Sequence, residues 1–327
     1  MSLPFVTAAL SAWRAAHGAA IDEAAQDEAS DAVVRLSIKA VAGGRTAATL
    51  GTEREGTGVV ISEDGLILTI GYLVLEAASI LAVTGDGRVF PASVAGFDHA
   101  TGFGVLRAQA GVARRPLQLG DSSAVRELHM MSVATYPAAG GCSRASIVSR
   151  RRFTGWWEYM IEDAIFAAPP RYGHSGAALI DAGGRLVGIG SLWVSDALDI
   201  GVAFPGNMFV PIDLLKPVLD DLVANGRRPG PARPWLGVYS EEFDGHVAVT
   251  RVLPDSPAEE AGLQSGDVIL GVGGHAIGGQ GECYQRIWAS GAAGTDITLH
   301  VLRDKTVRHL VVRSVDRLDY LRPWRVS

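Results

Sequence analysis

Cysteine is scarce in this sequence. Cys142 and Cys283 are the only two in 327 residues, and they lie far apart in what read as different domains, which argues against a structural disulfide. Long apolar runs are missing too: the richest stretch, Leu66 to Leu75, is bounded by Asp64 and Glu76 and falls short of the roughly 18 residues that a membrane-spanning helix needs. Positive charge is in deficit, with 29 Lys and Arg against 35 Asp and Glu for a net charge of −6. Non-specific nucleic-acid binding needs a surplus of positive charge to neutralise phosphates, so that class is excluded. Arg150, Arg151 and Arg152 form the one dense basic run and read as a solvated loop or strand end. At the start, Met1 to Ala20 has no basic segment ahead of its short apolar stretch Leu3 to Trp13. It reads as an amphipathic helix within an extension over 1–28, not as a secretory signal.

Glycine, by contrast, is abundant, with 40 residues beside 15 prolines and no collagen-like period. That excess points to many tight turns between short strands. A hydrophobic share of 48% and a charged share of 20% are those of an ordinary globular protein, and the length suggests two domains. From Asp31 onward, short β-rich runs alternate with turn dipeptides, and Asp64-Gly65 and Asp86-Gly87 are strong hairpin signals. The pattern predicts a barrel or sandwich in place of alternating strands and helices. Ile212, Leu215, Val218, Leu219 and Leu222 follow helical spacing and predict a helix over Pro211 to Leu222. Asn225 to Pro234 has no apolar periodicity and reads as a linker over 225–234. Strands return after it, with helices expected at Ser256 to Gly262 and Glu282 to Ser290.

The segment richest in chemical meaning is Gly173-His174-Ser175-Gly176, where a serine flanked by glycines lets backbone N–H groups approach a carbonyl. Alone it is a weak signal. Its neighbours strengthen it: Gly56 to Ile61, Ile67-Leu68-Thr69, Asp98 to Leu106, Gly173 to Leu179 and Ile200 to Pro205, then Pro234 to Val238, Ser256-Pro257-Ala258 and Ala261 to Ile269. Through these blocks the chain, from about Ala29 to Arg313, resembles the HtrA family, bacterial trypsin-like serine proteases with C-terminal PDZ domains. The resemblance implies an all-β-dominated fold, a chymotrypsin-type double β-barrel over 29–224, followed by an α+β PDZ domain over 235–315 and a tail over 316–327. It also implies a homotrimer and a periplasmic setting, although the chain as it stands, without a signal, reads as cytoplasmic.

Against the family pattern, Tyr72 stands at the position of the catalytic histidine and Gly102 at that of the aspartate, leaving Ser175 alone at the nucleophile position. A serine hydroxyl without a base in reach is a poor nucleophile. His174 and His99 are candidate stand-in bases, or else loop histidines. No His-Glu-x-x-His spacing occurs among His17, His129, His246, His275, His300 and His309, so neither a metal nor any other cofactor is expected. Gly173 and Ser175 read either as an oxyanion hole that holds a carbonyl or carboxylate, or as a collapsed turn. In the PDZ-like part, Trp235, Leu236, Gly237 and Val238 match the loop that captures a peptide carboxylate, with Trp235 alternatively a buried anchor. Tyr284, Ile287 and Trp288 share a helix face: Tyr284 is expected to border the peptide pocket, while the other two face either pocket or core. The expected function is an HtrA-like pseudoprotease binding peptides or unfolded proteins, with apolar C-terminal peptides at the PDZ domain. Two other functions remain open, an active serine endopeptidase using Ser175 with an unrecognised base, and a structural subunit assembling with active relatives.

Overall fold

The computed structural model describes residues 31–113, 115–137 and 141–321. The extension expected as helix over 1–28 lies outside the described residues. Alternating sequence builds the first strands: in β1 (Val33–Ala40), Val34, Leu36 and Ile38 are buried while Arg35, Ser37 and Lys39 are more exposed. Five more strands follow, β2 (Glu53–Val60), β3 (Leu66–Ile70), β4 (Ala77–Val83), β5 (Val89–Phe97) and β6 (Phe103–Arg107). They close into a barrel in the order β1-β2-β3-β6-β5-β4, with β4 returning to pair with β1. The Asp64-Gly65 and Asp86-Gly87 dipeptides fall in the β2–β3 and β4–β5 turns. Leu36, Ile38, Ile67, Leu68, Phe103 and Leu106 fill the interior.

A second barrel repeats the plan with β7 (Met130–Ala134), β8 (Cys142–Gly155), β9 (Tyr159–Ala168), β10 (Ala178–Ile180), β11 (Leu186–Val194) and β12 (Gly206–Pro211) in the order β10-β11-β12-β9-β8-β7. Closing both barrels removes free sheet edges. The third unit is a sheet of β13 (Val238–Phe243), β14 (His246–Val252), β15 (Val268–Val272), β16 (His275–Ala276), β17 (Asp296–Arg303) and β18 (Thr306–Arg313). The helix Gln280–Ala289 packs on it, and β13 is its edge strand.

The helix expected over Pro211 to Leu222 forms only in part. A 3-10 turn, Ile212–Leu214, is followed by an α-helix over Leu219–Asn225. Pro217 separates them, since proline lacks the N–H that helix continuation needs and disfavours helical backbone at the residue before it. The stretch read as a linker is tied down: Arg228 pairs with Asp98 at 3.3 Å, and Ala293 N–H donates to the Ala232 carbonyl at 2.9 Å. The tail, described as far as residue 321, is likewise tied down. It forms a short helix, Arg317–Tyr320, and buries Leu321 with Leu75 and Phe97 of the first barrel.

Candidate functional site

Ser175 lies where the two barrels meet, in the loop between β9 and β10. Its carbonyl accepts the Thr57 N–H of β2 at 2.8 Å, and the next residue, Gly176, donates to the Gly190 carbonyl of β11 at 2.8 Å. The serine backbone is thus clamped by one strand from each barrel. Gly176 has φ +79°, and a Cβ there would lie 1.9 Å from the Thr57 carbonyl oxygen, so no side chain fits.

Tyr72 arrives on the 3-10 turn Gly71–Leu73 that follows β3. The buried Arg54 guanidinium fixes that turn by donating to the carbonyls of Tyr72 at 3.1 Å and Leu75 at 2.7 Å. The phenolic oxygen of Tyr72 lies 2.7 Å from both Ser175 Oγ and the Ser191 carbonyl oxygen. A phenol has one proton and a carbonyl only accepts. All three groups are satisfied when Tyr72 donates to Ser191 and the Ser175 hydroxyl donates to Tyr72. The tyrosine therefore occupies the place from which a base would take the serine proton. It is a very weak base: burial pushes its phenol up to about 12 against the partial opposition of the Ser175 bond. At neutral pH the phenolate fraction is on the order of 10⁻⁵.

Gly102 offers no carboxylate to orient a base. Its φ is +81°, its carbonyl accepts the Gly71 N–H at 2.6 Å, and a Cβ would lie 3.2 Å from the Tyr159 hydroxyl, which itself donates to the Thr101 carbonyl at 2.6 Å. The neighbouring Asp98 carboxylate is taken up by the Thr101 hydroxyl at 2.6 Å and by Arg228. Among the described residues, no imidazole hydrogen-bonds the Ser175 hydroxyl. His174 Nδ1 sits 3.2 Å from the Arg171 carbonyl oxygen, and burial lowers its pKa. His99 lies against Arg317, 3.1 Å from its guanidinium; burial, then Arg317 and Arg233, hold it well below the usual histidine range. Both are therefore kept neutral and engaged away from the serine. Gly173 has φ +72°, the value required at the third position of a type II turn, and neither its N–H nor that of Ser175 donates to another backbone group among the described residues.

These groups give one measurable consequence. A native tyrosine pKa above the ordinary value near 10 means that the folded state holds the proton more tightly than the unfolded chain does. The associated stability is fully present below pH 10 and is lost as pH rises toward 12. In an absorbance titration, the difference between the wild type and Tyr72→Phe should show no phenol ionising until about pH 12. A difference curve centred near 10 would mean that the hydroxyl is solvated and not held between Ser175 and Ser191.

In the third unit, Leu236, Gly237 and Val238 turn their N–H groups toward one point ahead of β13, and that point is taken by the Glu158 carboxylate of the β8–β9 turn. Trp235 is a buried anchor instead of part of this loop's opening: its N–H and carbonyl pair with Val315 at 3.1 Å, and its ring lies 4.6 Å from that of Tyr320. Tyr284 borders the groove through its hydroxyl, 3.0 Å from the Gly155 carbonyl oxygen. Ile287 belongs to the core with Leu236 and Leu299, and Trp288 packs between Tyr284 and Arg233. Sequence reasoning missed Ser191, Glu158 and Tyr159. Their partners are distant in sequence, and no local spacing signals such pairings.

Two closed barrels with a serine loop clamped at their seam, followed by a carboxylate-loop sheet domain, define a trypsin-like peptidase domain joined to a PDZ domain. The family model of the trypsin-like peptidase domain matches residues 56–189, and that of the PDZ domain matches residues 234–313. The serine endoprotease DegS of Haemophilus influenzae is 31% identical over 228 residues, covering 66% of this chain and 64% of that protein. The putative serine protease HhoA of Synechocystis is 28% identical over 295 residues, covering 80% and 70%. A DegP-like periplasmic serine endoprotease of Marinomonas is 30% identical over 245 residues, covering 69% of this chain and 50% of that protein. The chain thus spans between half and seven tenths of the length of these relatives. Among solved structures, the HtrA-type protease AlgW with a tripeptide shares the fold at a TM-score of 0.53 and 24% identity, over 92% of this chain and 97% of that one. The serine endoprotease of Yersinia pestis does so at 0.54 and 22%, over 91% and 99%. The chain belongs to the HtrA-like family of serine proteases with a PDZ domain.

Proposed function

We propose that this chain binds peptides or unfolded polypeptide segments without hydrolysing them, as an HtrA-like pseudoprotease. The observation that carries the reading is the Tyr72 phenol at 2.7 Å from Ser175 Oγ, in the place where a general base would stand. A serine needs a base that can accept its proton, and a phenol held at about 12 does not serve at neutral pH. That neither the Gly173 nor the Ser175 N–H donates to another backbone group among the described residues supports a retained capacity to hold a carbonyl oxygen. Exposed Tyr172 and Trp193, on the serine loop and on β11, add apolar surface for an extended chain.

Incubating the full chain with a reduced, unfolded client protein tests this directly. The expected result is suppressed client aggregation at stoichiometric ratios, with the client's intact mass unchanged. New client fragments that disappear with Ser175→Ala would reject the reading.

A further inference from the structure

The tip of the β8–β9 hairpin enters the PDZ-like groove and makes the contacts a bound C-terminus would make. Glu158 Oε1 accepts the N–H groups of Gly237 at 2.8 Å and Val238 at 2.9 Å, and Oε2 accepts that of Leu236 at 3.0 Å. Two residues upstream, the Trp156 carbonyl accepts the Ser240 N–H of edge strand β13 at 2.9 Å. Across the groove, the Tyr284 hydroxyl donates to the Gly155 carbonyl at 3.0 Å and accepts the Glu158 N–H at 3.3 Å. Carboxylate capture by a run of backbone amides and pairing of the edge strand with an added backbone are the two means by which such grooves hold peptide ends. Both are in use here.

The contact is built into the hairpin. Glu158 is 3% exposed and has φ +56°, a left-handed backbone that glutamate adopts only under local constraint. Burial raises its carboxyl pKa, opposed by the three N–H groups and by the half-buried Arg317. The tip is also braced from below, where Trp157 stacks on Tyr159 with ring centroids 5.3 Å apart and planes at 12°.

We infer that the Glu158 hairpin is an internal surrogate for a peptide C-terminus, so that the PDZ groove of the full chain is self-occupied and a free C-terminus binds only by displacing it. This rests on the groove's being a peptide site, as the proposed function holds. The apparent affinity of a peptide then falls in proportion to the fraction of molecules whose groove is open. A carboxylate on a rigid hairpin competes at high effective concentration. The displacing ligand is accordingly a chain end bearing both a free carboxylate and an extended backbone, and a carboxylate-free segment gains no access to the loop.

Two measurements on the full chain decide the matter. In the first, a short fluorescent peptide ending in a free-carboxyl valine is titrated into the wild type, Glu158→Gln and Glu158→Ala, with the amidated peptide as control. Glu158→Ala should bind the free peptide at least about tenfold more tightly than the wild type, with Glu158→Gln between them and the amidated peptide weak throughout. Equal affinity in wild type and variants would overturn the inference while leaving the peptide-binding reading intact. In the second, hydrogen exchange is followed at the amides of Leu236, Gly237 and Val238 without peptide. These should be protected in the wild type and exchange markedly faster in both variants. Unchanged exchange would also overturn the inference. Absence of binding by every form would count against the peptide-binding reading of the groove, and amide exchange would still decide whether Glu158 fills the loop.

Discussion

Replacing Tyr72 with histidine is expected to raise peptide hydrolysis by only about 10²-fold, leaving the variant about 10⁴-fold below a complete triad. The magnitudes come from another serine protease, in which losing the histidine lowers turnover by about 10⁶ and losing the aspartate alone by about 3 × 10⁴. Tyr72→His supplies an imidazole at Ser175 but nothing to fix its tautomer, because Gly102 bears no side chain. Adding Gly102→Asp meets an obstacle in the backbone itself. Its φ of +81° costs a side-chain-bearing residue about 1–2 kcal/mol. The new Cβ would also lie 3.2 Å from the Tyr159 hydroxyl. The double variant should therefore be less stable than Tyr72→His. Turnover by Tyr72→His at the level of a complete triad, measured on a fluorogenic peptide, would mean that another group already orients the base.

Gly176→Ala is expected to destabilise the chain by about 3 kcal/mol or more, combining left-handed strain with overpacking. The added methyl would fall 1.9 Å from the Thr57 carbonyl oxygen and 2.5 Å from the Thr69 hydroxyl, both belonging to the first barrel's wall behind Ser175. Gly184→Ala is the matched control, since it has a similar φ of +75° but nothing within 4 Å of the added carbon. It should lose about 1 kcal/mol. Thermal denaturation separates them, with a drop on the order of 10 °C for Gly176→Ala and a few degrees for the control. Equal losses would show that the serine loop is not clamped between β2 and β11.

Much of this architecture is legible in the sequence because its signals are local. The Asp-Gly dipeptides mark two hairpins of the first barrel, and alternation in Val33–Ala40 gives a half-buried strand. Tyr72 and Gly102 stand out only through the resemblance to the HtrA family, which Ile67-Leu68-Thr69 and Asp98 to Leu106 carry and which implies a histidine and an aspartate at these positions. The PDZ carboxylate loop is similarly marked by Leu236-Gly237-Val238. Features that depend on long-range contacts are not legible in this way. Glu158 looks like an ordinary turn residue until the third unit folds against it, and its three amide partners lie 78 to 80 residues further along the chain. The Ser191 carbonyl fixes the direction of the Tyr72 proton, yet any residue at position 191 would supply that oxygen. Helical periodicity over Pro211 to Leu222 was a true pattern of burial, with Ile212, Leu215, Val218 and Leu222 all in the core. Pro217 nonetheless divides the backbone. Trp235 shows the reverse limit, as a motif position whose side chain serves the packing against Tyr320 and not the groove.

Whether the hydroxyl of Ser175 can be activated separates a peptide-binding pseudoprotease from a working protease. Treating the full chain with an excess of a fluorophosphonate and weighing the intact protein is the most direct measurement, because the reagent reacts with a serine only when a base accepts its proton. With Tyr72 as the hydrogen-bond partner of Ser175, the mass should remain that of the unmodified chain under conditions that label an active relative completely. A stoichiometric adduct at Ser175, absent from Ser175→Ala, would contradict it.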